Sequence, residues 1–419
     1  MRIQPVARVF IGMGMVHFLA GAILGALMTN HLAWANLLTP YHAELNPFGW
    51  LTFLIYGMTY AVLQLFASLR VPWPVLPWLH FASAEAGLIA ILLGNGTALT
   101  GILDVGWSLQ ALAALLFMAA VLSAVVDAHK PRRVAESFAP SAAELLSLPS
   151  SFAGFRLGRQ DVIWRQTDRV AERGTSMALV LFVGVAVVAC IQAIRYGGTP
   201  WLSSTRIQIL LYDGWLAGTV LAVSLHLLPR YERVRPLQKT QVSIIQWLWF
   251  VGVLCAGFAN PEGWLHHWAL RAIGLSFTWL AALYLRELPR MPKEVPVVSR
   301  VAWWMAWLFA FILGVLQVLG VDPLSLPSLH LLFLGWVTTL VYGIGYTFFP
   351  LILNRRPAPA PWALGQVSVS GLGAVMLIIG MIGIGQQSTA TWALPWLASG
   401  GTCATLGFIA FIGQWLIRG

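Results

Sequence analysis

Apolar stretches of about 20 residues, the length needed to cross a bilayer, recur along the whole chain and are separated by short polar breaks. Twelve such stretches begin near Ala7, Pro47, Val75, Gly106, Thr175, Gln208, Thr240, Trp264, Val301, Pro327, Leu364 and Trp392. The pattern predicts an all-α integral membrane protein of about twelve transmembrane helices. It reads as one membrane domain over residues 1–419, with helices 1–4 at about 7–126, helices 5–8 at about 175–286 and helices 9–12 at about 301–417. A polar segment at about 127–174 reads as a long cytoplasmic loop able to hold a short interfacial helix.

Composition supports the bilayer as main solvent. Of 419 residues, 58% are hydrophobic and 10% charged, where a soluble domain carries about 25% charged residues. The net charge of +10 does not mark a nucleic-acid surface, because the basic residues lie in clusters between apolar runs. Those clusters follow helices 2, 4, 6, 8 and 10: Arg70; Lys130, Arg132, Arg133, Arg156, Arg159, Arg165, Arg169 and Arg173; Arg230, Arg233, Arg235 and Lys239; Arg286, Arg290 and Lys293; Arg355 and Arg356. The positive-inside rule places them, and both termini, in the cytoplasm. Arg2 and Arg8 precede an apolar run too long for a signal peptide, so the first helix is expected to be retained. Cys190, Cys255 and Cys403 form no CxxC or CxxCH motif, which argues against a zinc ribbon or a covalently attached haem.

An internal repeat sharpens the fold class. Gly49-Trp50, Tyr56-Gly57 and Tyr60 recur with identical spacing as Gly335-Trp336, Tyr342-Gly343 and Tyr346. Helix 6 holds a degraded copy at Gly214-Trp215. The copies stand four helices apart, which predicts three related four-helix units.

Ionisable groups within membrane segments are costly and usually functional. His42, in the outer loop just before helix 2, and His330, near the outer start of helix 10, stand seven and five residues before equivalent Gly-Trp steps, at similar predicted depth. Imidazole ligates haem iron, which makes the two histidines candidate cofactor ligands. Trp264 precedes the tandem His266 and His267, a candidate copper or zinc site. Glu85 lies mid-span in helix 3, on a different face from His80, and is a candidate proton-relay residue. Glu44 and Asp213 lie close to the helix 2 and helix 6 Gly-Trp steps and could support a ligand.

These residues resemble subunit I of the haem-copper oxidase superfamily. The broad arrangement covers the whole chain. Residues 41–50, Tyr-His-Ala-Glu-Leu-Asn-Pro-Phe-Gly-Trp, are similar to the His-Ala-His … Phe-Gly segment of NnrS-type membrane haem proteins and their cbb3-oxidase-like relatives. His42 matches the first histidine there, and Glu44 stands in place of the second. Residues 328–336 resemble the helix 10 segment, and Trp264 to His267 resembles the Trp-x-His-His segment that holds copper in the oxidases. The resemblance implies His42 and His330 as ligands of a low-spin b-type haem and His266 and His267 as copper-site residues. Helix 10 carries one histidine instead of two, and the His-Pro-Glu-Val segment of helix 6 is absent, with Asp213 lying roughly there. A single haem, with or without copper, is what the resemblance leaves.

The implied function is electron transfer or nitric oxide response at a bacterial inner membrane, with a redox partner or a small diatomic ligand. If an enzyme, the protein would be an oxidoreductase. Two other classes compete: a twelve-helix secondary transporter, and a structural subunit that kept the fold and lost its cofactors.

Overall fold

The computed structural model describes residues 4–65, 71–97, 99–129, 162–196, 204–231, 234–353, 356–386 and 391–417. Among the described residues every regular element is a helix. Eleven helices among the described residues are long and apolar enough to cross a membrane. They are α1 (Pro5–Asn30), α3 (Leu76–Thr97), α4 (Thr100–His129), α5 (Val162–Tyr196), α6 (Thr205–His226), α7 (Lys239–Phe258), α8 (Trp264–Glu287), α9 (Val297–Val318), α10 (Leu326–Leu353), α11 (Ala360–Gln386) and α12 (Ala393–Ile417). The expected second span is a composite helix, α2, built from Ala35–Glu44, Leu45–Thr52 and Phe53–Leu65. The chain is therefore an all-α, multi-span membrane protein.

Burial separates an inner set from an outer set. The most apolar stretches of α6 and α10 are 78% and 72% buried within the protein, against 33% for α1 and α3. In α2 the run from Pro47 to Leu54 is buried throughout. The three helices carrying the Gly-Trp repeat thus form the centre. The others turn apolar faces outward, with exposed tryptophans such as Trp73, Trp78, Trp264, Trp268, Trp392 and Trp396 near helix ends, where amphipathic rings sit at membrane–water boundaries.

Two boundaries differ from expectation. The helix expected from Thr175 begins at Val162, so residues 162–174 are helix and not loop. Thr167, Val170, Ala171 and Gly174 recur at helical spacing and are all buried, giving this polar-looking segment a face that packs on the bundle. The Arg230 guanidinium grips Asp168 with two hydrogen bonds, Nη1 to Oδ1 at 2.8 Å and Nη2 to Oδ2 at 2.7 Å. Thr167 Oγ1 donates to the Leu237 carbonyl at 3.1 Å. The basic residues expected at 130–161 lie outside the described residues.

The second difference is in α2, which starts at Ala35 and not near Pro47. Pro40 and Pro47 read as helix breaks in sequence. Pro40 sits in the second turn, where it removes only a bond to the first turn. Pro47 lies in a widened turn whose ladder has already left the i−4 register. His42 is therefore part of a helix and not of an outer loop.

The Asp168–Arg230 pair is the clearest charge contact between α5 and the end of α6, and the Arg230 side chain is 5% exposed. Removing one partner of a buried ion pair costs about 3–5 kcal/mol. Asp168→Ala is expected to lose stability on that scale in thermal unfolding in detergent. Pairing it with Arg230→Met is expected to recover part of the loss.

Candidate functional site

Each Gly-Trp step sits in a π-helical segment: Leu45–Thr52 in α2, Leu210–Leu216 in α6 and Leu331–Thr338 in α10. All three segments begin four residues before the repeat glycine. A π turn shifts the backbone ladder to i→i+5, and such bulges concentrate at functional sites. Side chains meet the carbonyls the shift displaces. Thr52 Oγ1 donates to the Pro47 carbonyl at 2.8 Å, and its counterpart Thr338 Oγ1 to the Phe333 carbonyl at 2.7 Å. Trp249 Nε1 donates to the Asp213 carbonyl at 2.8 Å.

The repeat glycines allow close approach of outer helices. A Cβ on Gly49 would lie 2.9 Å from His17 Cβ, one on Gly214 3.3 Å from Leu181 Cδ1, and one on Gly335 3.3 Å from Phe309 Cβ. Those neighbours come from α1, α5 and α9, the first helix of each expected unit. The tryptophans beside the glycines are all buried. Trp50 stacks on Phe18 with ring centres 3.7 Å apart, and Trp215 on Phe182 at 4.4 Å. The same construction is present at three places in the chain.

The three inner helices touch one another through this region. Trp215 Nε1 on α6 donates to Thr52 Oγ1 on α2 at 3.1 Å. Tyr212 on α6 meets Phe333 on α10 with ring centres 5.2 Å apart. On the third side, His42 of α2 faces His330 of α10, with ring centres 6.3 Å apart and planes within 11° of parallel.

Both histidines are oriented from behind. His42 Nδ1 lies 2.8 Å from the Gly21 carbonyl and His330 Nδ1 2.8 Å from the Leu326 carbonyl. A carbonyl only accepts, so each Nδ1 carries the proton and each Nε2 keeps its lone pair. Among the described residues neither Nε2 has a hydrogen-bond partner. Gly21 and Gly25, one turn apart on α1, make room for the His42 side of the pair. A Cβ at Gly25 would stand 3.0 Å from His42 Cε1, and one at Gly21 2.8 Å from Asn46 Oδ1. Asn46 Nδ2 in turn donates to the His42 carbonyl at 2.8 Å.

The other candidates fall elsewhere. His266 is buried, with Nδ1 2.9 Å from the Ala256 carbonyl, while His267 is exposed. Their rings lie 5.9 Å apart at 79°. Consecutive positions on a regular helix diverge by about 100°, and α8 is regular from Trp264 onward. The described residues contain no group of three or more His, Cys, Asp or Glu placed to hold a metal ion. Glu44 is fully buried where α2 enters its π segment, and Asp213 is buried within that of α6. Glu85 meets His17, with Oε1 3.3 Å from Nε2, a pairing that sequence reasoning missed. His80 faces away from it, with Nδ1 3.0 Å from Tyr60 Oη.

Compared with known proteins, the chain matches no family model and no curated protein.

The Trp215–Thr52 hydrogen bond closes one side of the inner triangle in a buried setting. Leaving such a group unsatisfied costs about 1–3 kcal/mol. Thr52→Val and Trp215→Phe are each expected to lower thermal stability by an amount in that range. The double variant is expected to fall short of their sum, as a double-mutant cycle of melting curves would show.

Proposed function

We propose that this protein binds one haem of b type between α2 and α10, with His42 and His330 as its two axial ligands. The observation that carries the reading is the facing imidazole pair. Two imidazoles bound on opposite sides of one metal, with metal–nitrogen bonds of about 2.0–2.1 Å, have ring centres roughly 6.3–6.5 Å apart. The separation here is 6.3 Å. The donor chemistry agrees, because each ring is held through Nδ1–H and offers a bare Nε2. Such carbonyl contacts fix the tautomer and raise the basicity of a ligating histidine.

Held by His42 and His330, the haem would supply one-electron chemistry, and with one of these imidazoles withdrawn it would take a diatomic gas such as nitric oxide. The chain's own residues set which of these prevails. The Gly21 carbonyl and the glycine surface of α1 hold His42 in place. Among the described residues His330 Nδ1 is held by a carbonyl of its own helix, one turn earlier, which would make it the ligand freer to leave. Phe333 and Tyr212 provide aromatic surface next to the α10 side. The reading is in keeping with the resemblance to membrane haem proteins of the NnrS and haem-copper oxidase type, and with a role in electron transfer or nitric oxide handling. The proposal is made for haem alone. The positive-inside pattern supports a bacterial inner-membrane location with both termini cytoplasmic and the histidine pair toward the outer face. A threefold construction also departs from the two related halves common in secondary transporters.

The visible absorption spectrum of the protein purified after expression with ample haem tests this reading. A Soret band with sharp α and β bands on reduction is expected. His42→Ala and His330→Ala are each expected to remove or reshape those bands. Gly25→Val, which pushes on the His42 ring, is expected to weaken them while leaving the protein folded. A wild-type protein without a Soret band would overturn the proposal.

A further inference from the structure

His17 and Glu85 form an ionisable pair near the middle of two spans, α1 and α3. His17 Nε2 stands 3.3 Å from Glu85 Oε1, with side chains 9% and 18% exposed. On its other side, His17 Nδ1 lies 2.9 Å from the carbonyl of Gly49, inside the π segment of α2. That carbonyl requires Nδ1–H, so Nε2 is the basic nitrogen that faces the carboxyl group. Glu85 Oε2 is buried with no hydrogen-bond partner among the described residues.

The repeat provides an internal control. Glu85, Phe250 and Gly371 each stand 36 residues after the glycine of their own Gly-Trp step. His17, Leu181 and Phe309 each pack against that glycine from the first helix of the unit. The second and third units therefore have Leu181 and Phe250, and Phe309 and Gly371, at the corresponding positions. Nothing in the shared architecture calls for an acid and a base here. Ionisable groups at this depth are costly and mark proton or ion paths.

We propose that His17 and Glu85 bind and release a proton within the membrane. With one proton shared, the pair is either imidazolium beside carboxylate or neutral imidazole beside carboxylic acid. Both forms have zero net charge, so the proton can move between Oε1 and Nε2 without changing the charge in the bilayer. Releasing it leaves a single carboxylate, and taking up a second leaves a single imidazolium. Phe53, with its ring centre 5.0 Å from that of His17, covers the pair on the α2 side. From α4, Gln110 reaches the residue before Glu85, its Nε2 donating to the Ala84 carbonyl at 2.9 Å. Other titratable groups on the packed helices are Arg8 on α1, Tyr41, His42, Glu44, Tyr56 and Tyr60 on α2, His80 on α3, and Asp104 and Asp127 on α4. His80, about 7.5 Å along α3 from Glu85, is held by Tyr60. Asp104 stands toward the start of α4. The site does not depend on the haem reading.

Dicyclohexylcarbodiimide enters lipid and modifies carboxyl groups only in their protonated form, which makes it a direct probe. The full-length protein in lipid nanodiscs would be treated across a pH series and the adduct located by mass spectrometry. An adduct at Glu85 that declines as pH rises is expected, absent in Glu85→Gln. In His17→Leu, which installs the residue of the second unit, the pH dependence is expected to change. His17→Gln serves if the leucine variant does not fold. No adduct at any pH would identify a fixed ion pair and overturn the proposal. An adduct with the same pH profile in both His17 variants would also overturn it, because the imidazole would then be no part of the site.

Discussion

A backbone in lipid must satisfy its own hydrogen bonds, and three widened turns at the centre of this protein strain that requirement. Each π segment shifts the ladder and leaves carbonyls to find donors outside it. The donors are specific side chains: Thr52 and Thr338 within their own helices, Trp249 from α7 on the Asp213 carbonyl, and His17 from α1 on the Gly49 carbonyl. The Trp249 and His17 bonds bind inner helices to outer ones. They also explain the glycine and tryptophan of the repeat. The glycine lets an outer helix come close, and the buried ring fills the space beside it. What results is a rigid inner set of three helices with its side chains fixed at the level of the bulges.

Two consequences follow for chemistry. The first is that α2 and α10 present His42 and His330 to each other, although the two stand in different registers of the repeat. On regular helices a two-residue offset rotates a side chain by about 200°. Here the glycine surface of α1 draws His42 into place, and a carbonyl of its own helix holds His330. The second is that one unit of three carries an acid and a base where the others carry apolar groups. The haem reading and the proton reading both rest on departures from an otherwise repeated plan, and the first unit contributes to both.

The helical, membrane-spanning character was legible from hydropathy alone, and the repeat was legible from Gly49-Trp50 and Gly335-Trp336. That the repeat marks π turns was not, because the displaced carbonyls are satisfied by donors such as Trp249 that are distant in sequence. The start of α2 was misread because Pro40 and Pro47 look like breaks, and only the structure shows one in an early turn and the other in a bulge. The start of α5 was misread because charged residues hide the buried face of Thr167, Val170 and Ala171. His42 and His330 could be singled out from the repeat, but their separation and ring angle come from packing. His266 and His267 are neighbours in sequence, and only the structure shows one buried and the other exposed. His17 and Glu85, 68 residues apart on different helices, left no sequence signal beyond their depth.

Electron paramagnetic resonance of the oxidised wild-type protein tests the central claim most directly, because it reads the relative orientation of two axial imidazoles. Rings within 11° of parallel predict a rhombic low-spin ferric signal with three resolved g values. A high-spin axial signal, a strongly anisotropic low-spin signal of the kind given by crossed imidazole planes, or the absence of a ferric haem signal would contradict it.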